Sequence, residues 1–427
     1  MTDTAELTAA RNWAGNHTYR ATRLHRPASL EQVQEVVAAA PRIRVLGSRH
    51  SFTGVADSAE LLSLEELTGS VVISPDRRTV TVDGGVRYGQ LTEVLREQGL
   101  ALDNLASLPH ISVAGAVATA THGSGVTNRN LAAAVAGLQL VTSTGEVLHP
   151  VRGDADFAGV VVGLGALGAV TRVTLDVEPA FEVRQRVFEG LPWSTLAERF
   201  DEVMSAGYSV SLFTLFGEAV DMVWVKSRTD AGDGPAGELF GAREADGERH
   251  PIPGLPSGPA TVQQGVPGLW SDRLPHFRMG FTPSNGEEIQ SEFLVPHRHA
   301  VAAIDALRSL GDRIRPLLQT CEIRTVAADE LWMSTAYDEA SVALHFTWLP
   351  EQPAVEELLV HLEGALEPFG PRPHWGKLFL ADAATLATRY PRHRDFLALT
   401  ERLDPRGAFR NDWFERHVLG DVQHPGR

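Results

Sequence analysis

From Asn104 to Asn128 the chain runs 25 residues, NLASLPHISVAGAVATATHGSGVTN, without one charged side chain. Pro109, His110, Asn104 and the recurring Ser, Thr and Gly exclude a membrane span. Small residues at Ser112, Ala114, Gly115, Ala116, Ala118, Thr121, Gly123 and Ser124 leave the backbone open to close approach. What approaches is either a flat or phosphorylated ligand or another element of the same chain. A second segment, Arg44-Val-Leu-Gly-Ser-Arg-His50-Ser-Phe52, has related features. There a short strand enters the Gly47-Ser48 turn, whose small residues let consecutive N–H groups face an anion, and His50 stands at its end. Taken singly, the first segment reads equally as packing and the second as a surface turn. Together, beside strands of one domain, they favour a large cofactor.

The remaining composition bounds the partners. With 427 residues, 43% hydrophobic and 22% charged, the chain has the make-up of a globular protein of two or three domains. Lys and Arg number 38 against 54 Asp and Glu, a net charge of −16, and no basic block occurs. Nucleic acid and anionic membrane surfaces are therefore not expected partners. Cys321 stands alone, which excludes an internal disulfide framework and a cysteine-built zinc site. Residues 1–15 lack a basic-then-apolar leader pattern, so a soluble cytoplasmic protein, working as a monomer, is expected. Only Lys226 and Lys377 are lysines among the 38 basic residues. Each is thus a candidate for a role that a planar, permanently charged guanidinium cannot fill.

The pattern of elements is α+β. Ser29-Leu-Glu-Gln32 predicts a capped helix with Leu30, Val33, Val36 and Val37 on one face, stopped by Pro41. Strands are expected at Ile43, at Thr79–Asp83 and at Val173–Val177, a helix over Tyr88–Gln98 ending at Gly99, and a hairpin over Val135–Val147 turning at Ser143-Thr144-Gly145. Composition shifts near Glu178-Pro179. Beyond it, Ser291–Val295 and Ser341–Trp348 read as strands, Ala300–Leu310 and Val355–Leu366 as helices, and Asp230–Pro267 as a long loop. Gly163-Leu-Gly-Ala-Leu-Gly168 matches a dinucleotide fingerprint by letter, but a strand pattern follows where that motif needs a helix. A glycine-rich turn between strands is the better reading.

Seven segments in order, VLGSRHSF, GGVRYGQL, SLPHISVAGAVATATHGSG, GALGAVTRVTL, CEIRTVA, ALHFTW and PHWGK, resemble the vanillyl-alcohol-oxidase family of flavoproteins, and within it the bacterial alditol oxidases. The likeness runs from Asn12-Trp13-Ala14-Gly15-Asn16 to Leu403-Asp404-Pro405. It implies a two-domain PCMH-type FAD-binding fold. Residues 1–180, with 375–427 returning to them, would form the FAD domain, and 181–374 a cap built on a large antiparallel sheet. By the same resemblance His50 is joined covalently to the flavin 8α-methyl group. Val45, Leu46, Gly47, Ser48, Arg49, Ser51, Ser107, Ser112, Gly115, Ala116, Val117, Ala118, His122, Val170 and His374 would complete the cofactor site. Arg49 departs from the family, which usually has glycine before the linked histidine.

In the cap, Glu322 and Arg324 share one strand face, as do His345 and Thr347. Each pair alone reads as a surface ion pair or a cross-strand ladder. The resemblance implies more. Glu322 would accept hydrogen bonds from substrate hydroxyls, Arg324 would stabilise negative charge on the reduced flavin, and Lys377 would stabilise a developing alkoxide. Ser107 and Thr347 would bind substrate hydroxyls, with His345 also in the catalytic set. His297-Arg298-His299 has no carboxylate and cysteine set around it, and no metal is assigned.

The implied activity is FAD-dependent oxidation of the terminal primary alcohol of an alditol such as xylitol or sorbitol to the aldose, with dioxygen reduced to hydrogen peroxide. An aldonolactone oxidase or dehydrogenase of the gulono- or galactonolactone type shares the E-x-R and H-W-x-K patterns and is the near alternative. A nicotinamide dehydrogenase is opposed by the strand after Gly168. A non-catalytic sugar-binding protein leaves the two small-residue loops around a histidine unexplained.

Overall fold

Residues 11–281 and 288–420 are described by the computed structural model. Residues 1–10 and 421–427 of the expected FAD domain, and 282–287 of the expected cap, lie outside the described residues. The fold is α+β. A parallel three-stranded sheet of Arg23–His25, Glu60–Ser63 and Ile43–Leu46 stands beside an antiparallel five-stranded sheet. The latter runs Val71–Ile73, Thr79–Asp83, Ala169–Asp176, Val135–Val141, Val147–Leu148. Among the described residues no helix is long and apolar enough to cross a membrane.

Local chemistry accounts for the elements that carry the loops. The helix Leu30–Ala39 starts at Ser29, whose hydroxyl accepts from the Gln32 amide at 3.4 Å. Its capping box is offset by one residue, because the Gln32 side chain accepts from Ala28 N at 2.8 Å rather than from Ser29. Val33 and Val37 pack with Ile43, Leu62 and Phe409, so the C-terminal stretch closes over the strand that leads to His50. Arg44 is fully buried in that strand, and its guanidinium donates to the carbonyls of Val55, Phe409 and Leu164. The Gly163–Gly168 segment is a turn, as expected, but it follows a short helix, Phe157–Val161, rather than a strand. Gly168, at φ +149, lies where a Cβ would come within 2.5 Å of the Val141 carbonyl.

A ten-stranded antiparallel sheet uses strands between Glu182 and Pro373. Its centre runs Ala219–Arg228, Ser209–Thr214, Leu318–Val326, Ser341–Trp348, Ile289–Pro296. Side-chain alternation divides these strands between two environments. One face carries Val223, Val225, Leu212, Ile323, Leu344, Phe346 and Phe293, packed in the main core with Ile304, Leu307, Leu359 and Leu362 of the helices Ala300–Ser309 and Gln352–Leu366. The other face carries a polar row between two small apolar clusters, Phe213, Met222 and Trp224 on one side and Leu294, Val326 and Ala343 on the other, and looks toward the Asn104–Asn128 segment.

That segment is sewn onto the large sheet. Gly125 N donates to Thr325 O at 3.0 Å, and Ala327 N to Asn128 O at 2.9 Å. Asn128 Nδ2 donates to Tyr208 O at 3.0 Å, and Asn130 Nδ2 to Asp329 at 2.7 Å. The absence of charge is explained by this seam as much as by a ligand. A Cβ on Gly123 would lie 2.2 Å from Asn104 Oδ1 and 2.4 Å from the Leu105 carbonyl, so the chain's own backbone fills the space there.

Candidate active site

The strand Ile43–Leu46 delivers the chain into a turn through Gly47 and Ser48, and Ser48 Oγ accepts from Ser112 N at 3.1 Å. Gly47 and Gly115 both lie against the Ser112 hydroxyl, 2.7 Å from where either Cβ would be. Arg49 follows at φ +64, in the left-handed region that favours glycine. His50 is held in a stack on Trp13, centroids 5.5 Å apart and 17° between planes. Its buried Nδ1 has no hydrogen-bond partner, and burial pushes the imidazole down to about 4. His50 is therefore a neutral ring at ordinary pH.

Opposite this turn, the polar face of the large sheet brings its charged residues into one row. Antiparallel register aligns Phe213 with Glu322, Glu322 with His345, and His345 with Glu292. Arg324 and Thr347 stand two residues along from this row, and Thr347 pairs with Gln290. Lys377, from the turn after His374, donates to Glu292 Oε2 at 2.6 Å. Arg324 Nη2 donates to Glu292 Oε1 at 2.6 Å, and His122 Nε2 lies 3.3 Å from the same oxygen. Glu322 faces His276 Nε2 at 2.7 Å, His345 Nδ1 at 3.4 Å and Arg324 Nε at 3.6 Å. Ser107 joins the two layers. Its hydroxyl accepts from Arg324 at 3.4 Å, and its carbonyl from the His276 and Phe277 amides.

The protonation states follow from these pairings. Burial raises the pKa of a carboxylate, but Lys377, Arg324 and His122 overcome that and hold Glu292 well below its usual range. Glu322 is likewise held down against burial by Arg324, with His276 and His345. Burial pulls Lys377 down and Arg324 adds to it, with Glu292 opposing. Burial brings His276 and His345 to about 4, assisted by the charges of Lys226 and Lys377 respectively. The carboxylates Glu292 and Glu322 and the cations Arg324 and Lys377 thus face one cavity with the neutral imidazoles of His276 and His345 between them, and buried Glu288 lines the same cavity.

One cavity brings together Val45, Leu46, Gly47, Ser48, Arg49, His50, Ser51, Ser107, Ser112, Gly115, Ala116, Ala118, His122, Glu322, Arg324, His345, Thr347, His374 and Lys377. Val117 and Val170 lie outside it, on a second cavity that shares Val45–Ser48, Ser112, Gly115, Ala118 and Gly165 with the first. The two join as a long cleft. Sequence reasoning missed Glu292, Gln290, His276, Trp13 and Gly165. Glu292 carried little signal, standing between Ser291 and the apolar run Phe293-Leu294-Val295 with Glu288 nearby. His276 carried none, since it arrives from a loop. His297–His299 forms a single 3-10 turn, with His297 3.3 Å from Asp201.

Comparison with known proteins agrees with this geometry. Residues 21–150 match the FAD binding domain family, and residues 283–417 the D-arabinono-1,4-lactone oxidase family. The chain is 50% identical over 96% of its length to the alditol oxidase of a Streptomyces species, covering 99% of that protein. It is 31% identical to the L-gulono-1,4-lactone dehydrogenase of Mycobacterium tuberculosis, over 96% of this chain and 98% of that one. The crystal structure of cholesterol oxidase from Brevibacterium sterolicum superposes with a TM-score of 0.78 at 18% identity, covering 96% of each chain, which shows the same fold. The cleft fits FAD on its own terms. It is long and double, lined by small residues, and carries a partly buried, neutral histidine whose buried Nδ1 is unpartnered.

Proposed function

We propose that this protein, which belongs to the alditol oxidase family of FAD-binding oxidoreductases, oxidises the terminal primary alcohol of an open-chain polyol such as xylitol or sorbitol to the aldose, reducing dioxygen to hydrogen peroxide. FAD, when bound, supplies the electron acceptor for the alcohol and the electron donor for dioxygen. His50 would carry it covalently, an assignment supported by the neutral imidazole and its unpartnered Nδ1. Residues Val45–Ser51, Ser112, Gly115, Ala116, Ala118, His122 and His374 would hold it in the first cavity, and Val117 and Val170 in the second.

The chain's own groups then divide the work. Lys377 has three ammonium donors, and Glu292 takes one. A second can donate to the substrate oxygen, where fixed positive charge favours the negative charge developing there. Arg324 keeps a permanent charge beside the cofactor, locked by Glu292. Glu322 is an acceptor for a hydroxyl proton, and Ser107, Thr347 and His345 offer further hydroxyl partners. The observation that carries the reading is the balance of this floor. Glu292 and Glu322 are matched by Arg324 and Lys377, and a third acid on the cavity, Glu288, accepts from Gln290 at 2.6 Å, so the site suits a ligand rich in hydroxyls rather than an anion. Such a site rejects analogues that leave its buried polar groups unpaired.

A peroxide assay across xylitol, sorbitol, glycerol, ethanol and gulonolactone tests this. The longer polyols should lead, glycerol should lie between, and ethanol should be poor. A lactone reading also has support, in the match of residues 283–417 to the D-arabinono-1,4-lactone oxidase family. Highest efficiency on the lactone with xylitol inert would establish it instead. We further propose that the protein works in the cytoplasm as a monomer, which a single species of one chain's mass on gel filtration would check.

A further inference from the structure

Of the two lysines, Lys377 reaches the cavity and Lys226 does not. Lys226 lies on the strand Ala219–Arg228, two strands from Glu322, and is only 1% exposed. Its Nζ donates to the carbonyls of Leu274 and Pro275, the latter at 3.2 Å, and faces His276 Nδ1 at 3.2 Å. The far side of that ring, Nε2, lies 2.7 Å from Glu322 Oε1. The ring is clamped between Phe213 and Trp224, edge contacts at 5.5 and 5.3 Å, so it cannot turn freely.

We propose that Lys226 is a positioning residue that acts through His276 on Glu322, setting the imidazole tautomer so that Glu322 is held as a fixed hydroxyl acceptor. Burial brings the Lys226 amine down to about 7; below that, at about pH 6 where the tests are run, it is an ammonium with donors only, so the ring nitrogen facing it must accept. A carboxylate has acceptors only, so the ring nitrogen facing it must donate. Both demands are met by one species, the neutral ring with its proton on Nε2. Lys226 and Glu322 thus fix together which nitrogen carries the proton, Lys226 by excluding a proton on Nδ1, and the Nε2–H bond holds Glu322 Oε1 while Oε2 stays toward His345 and Arg324. Arginine could not substitute, because its planar fork does not fit a pocket formed by two carbonyls and a ring nitrogen. That gives the second lysine of an arginine-rich chain a specific reason to exist.

This inference rests on the polyol reading for its kinetic consequence but not for its structural one. In the FAD-loaded protein, Lys226→Met keeps the stem and removes the donor. It should raise KM for xylitol about tenfold with kcat changed less than about threefold, the mark of lost ground-state binding. His276→Gln keeps a donor toward Glu322 without a tautomer to set. In that background Lys226→Met should cost less than about twofold, because the two residues act in series. An equal penalty in both backgrounds would mean that Lys226 merely supports the Leu274–Pro275 loop, and would overturn the proposal. The tautomer is read independently by histidine nitrogen NMR of the parent protein, with the His276 signal identified by its loss in His276→Gln. A neutral ring protonated at Nε2 is expected, and an Nδ1–H ring or an imidazolium would sink the idea even if Lys226→Met did not fold. A parent inactive on every polyol would fail the functional reading while leaving the tautomer test to stand or fall on its own.

Discussion

At the scale of single residues, Lys377 has two jobs that can be separated. It neutralises buried Glu292, and it offers a donor to the reacting oxygen. Lys377→Met should lower turnover by about 10²–10³, seen as slow flavin bleaching on anaerobic mixing with substrate. Glu292 keeps Arg324 at 2.6 Å, so the variant should still fold. Lys377→Arg restores the ion pair and should recover stability without recovering rate; bleaching at the parent rate in Lys377→Met would remove Lys377 from the chemistry, and in Lys377→Arg would show that any cation suffices. His50→Ala should release flavin on acid precipitation, and flavin still bound to that variant would point to another histidine. Arg49 is a third case. Its φ of +64 costs an L-residue roughly 1–2 kcal/mol, while glycine loses about 1 kcal/mol more backbone entropy on folding. Arg49→Gly should therefore change unfolding free energy by under about 1 kcal/mol with flavin retained; a larger loss would show that the guanidinium itself holds something. The family's glycine and the left-handed backbone were legible together only once φ was known. Glu322, Arg324, His345, Thr347 and Lys377 stood out in the sequence through ordered motifs. Glu292 and His276 did not, because Glu292 joins the site through register across strands distant in the chain and His276 through a loop folded onto the sheet.

At the scale of elements, the small residues of Asn104–Asn128 do two different things. Gly123 is walled by the Leu105 carbonyl, which cannot yield without moving backbone, and by Asn104 Oδ1, whose amide side chain is held by Arg129 O and Leu105 N. Gly123→Ala should therefore destabilise the protein by about 1–3 kcal/mol in a urea titration. Gly115 meets only the Ser112 hydroxyl, which can rotate, so Gly115→Ala should keep stability and weaken flavin retention. Equal effects from both would show that the segment is uniform packing. Period and turn chemistry were enough to anticipate the strand Ser341–Trp348, the helix Ala300–Ser309 and the hairpin through Gly145. They could not anticipate the helix Phe157–Val161 before the Gly163–Gly168 turn, which is too short to display a period.

At the scale of the molecule, buried neutral imidazoles make the fold acid-sensitive above the range where carboxylates titrate. His276 and His345 are brought to about 4 by burial, and burial lowers His374 strongly as well, from the ordinary 6.5. Between those limits these rings bind more protons in the unfolded chain than in the folded one, so their contribution to stability rises with pH and is lost as pH drops below 6.5, opposed in part by Glu363 and Asp329, which burial raises to about 7 and about 6. Glu292 and Glu322, held below the usual carboxylate range, add a further loss only at lower pH. Thermal unfolding should thus show a Tm several degrees lower at about pH 5 than at about pH 7. A flat Tm over that interval would mean that these rings are already charged in the folded protein.

The hydrogen bonds that sew Asn104–Asn130 to the central strand of the large sheet also bear on ancestry and recombination. A crossover placed near residue 180 would part the two sides of that seam, giving a chimera two parents' worth of mismatched backbone along the chamber wall. Exchanges that carry residues 104–130 together with 318–329 keep the stitch intact. New substrate preferences among such relatives should therefore arise more readily by substitution along the chamber floor than by swapping caps.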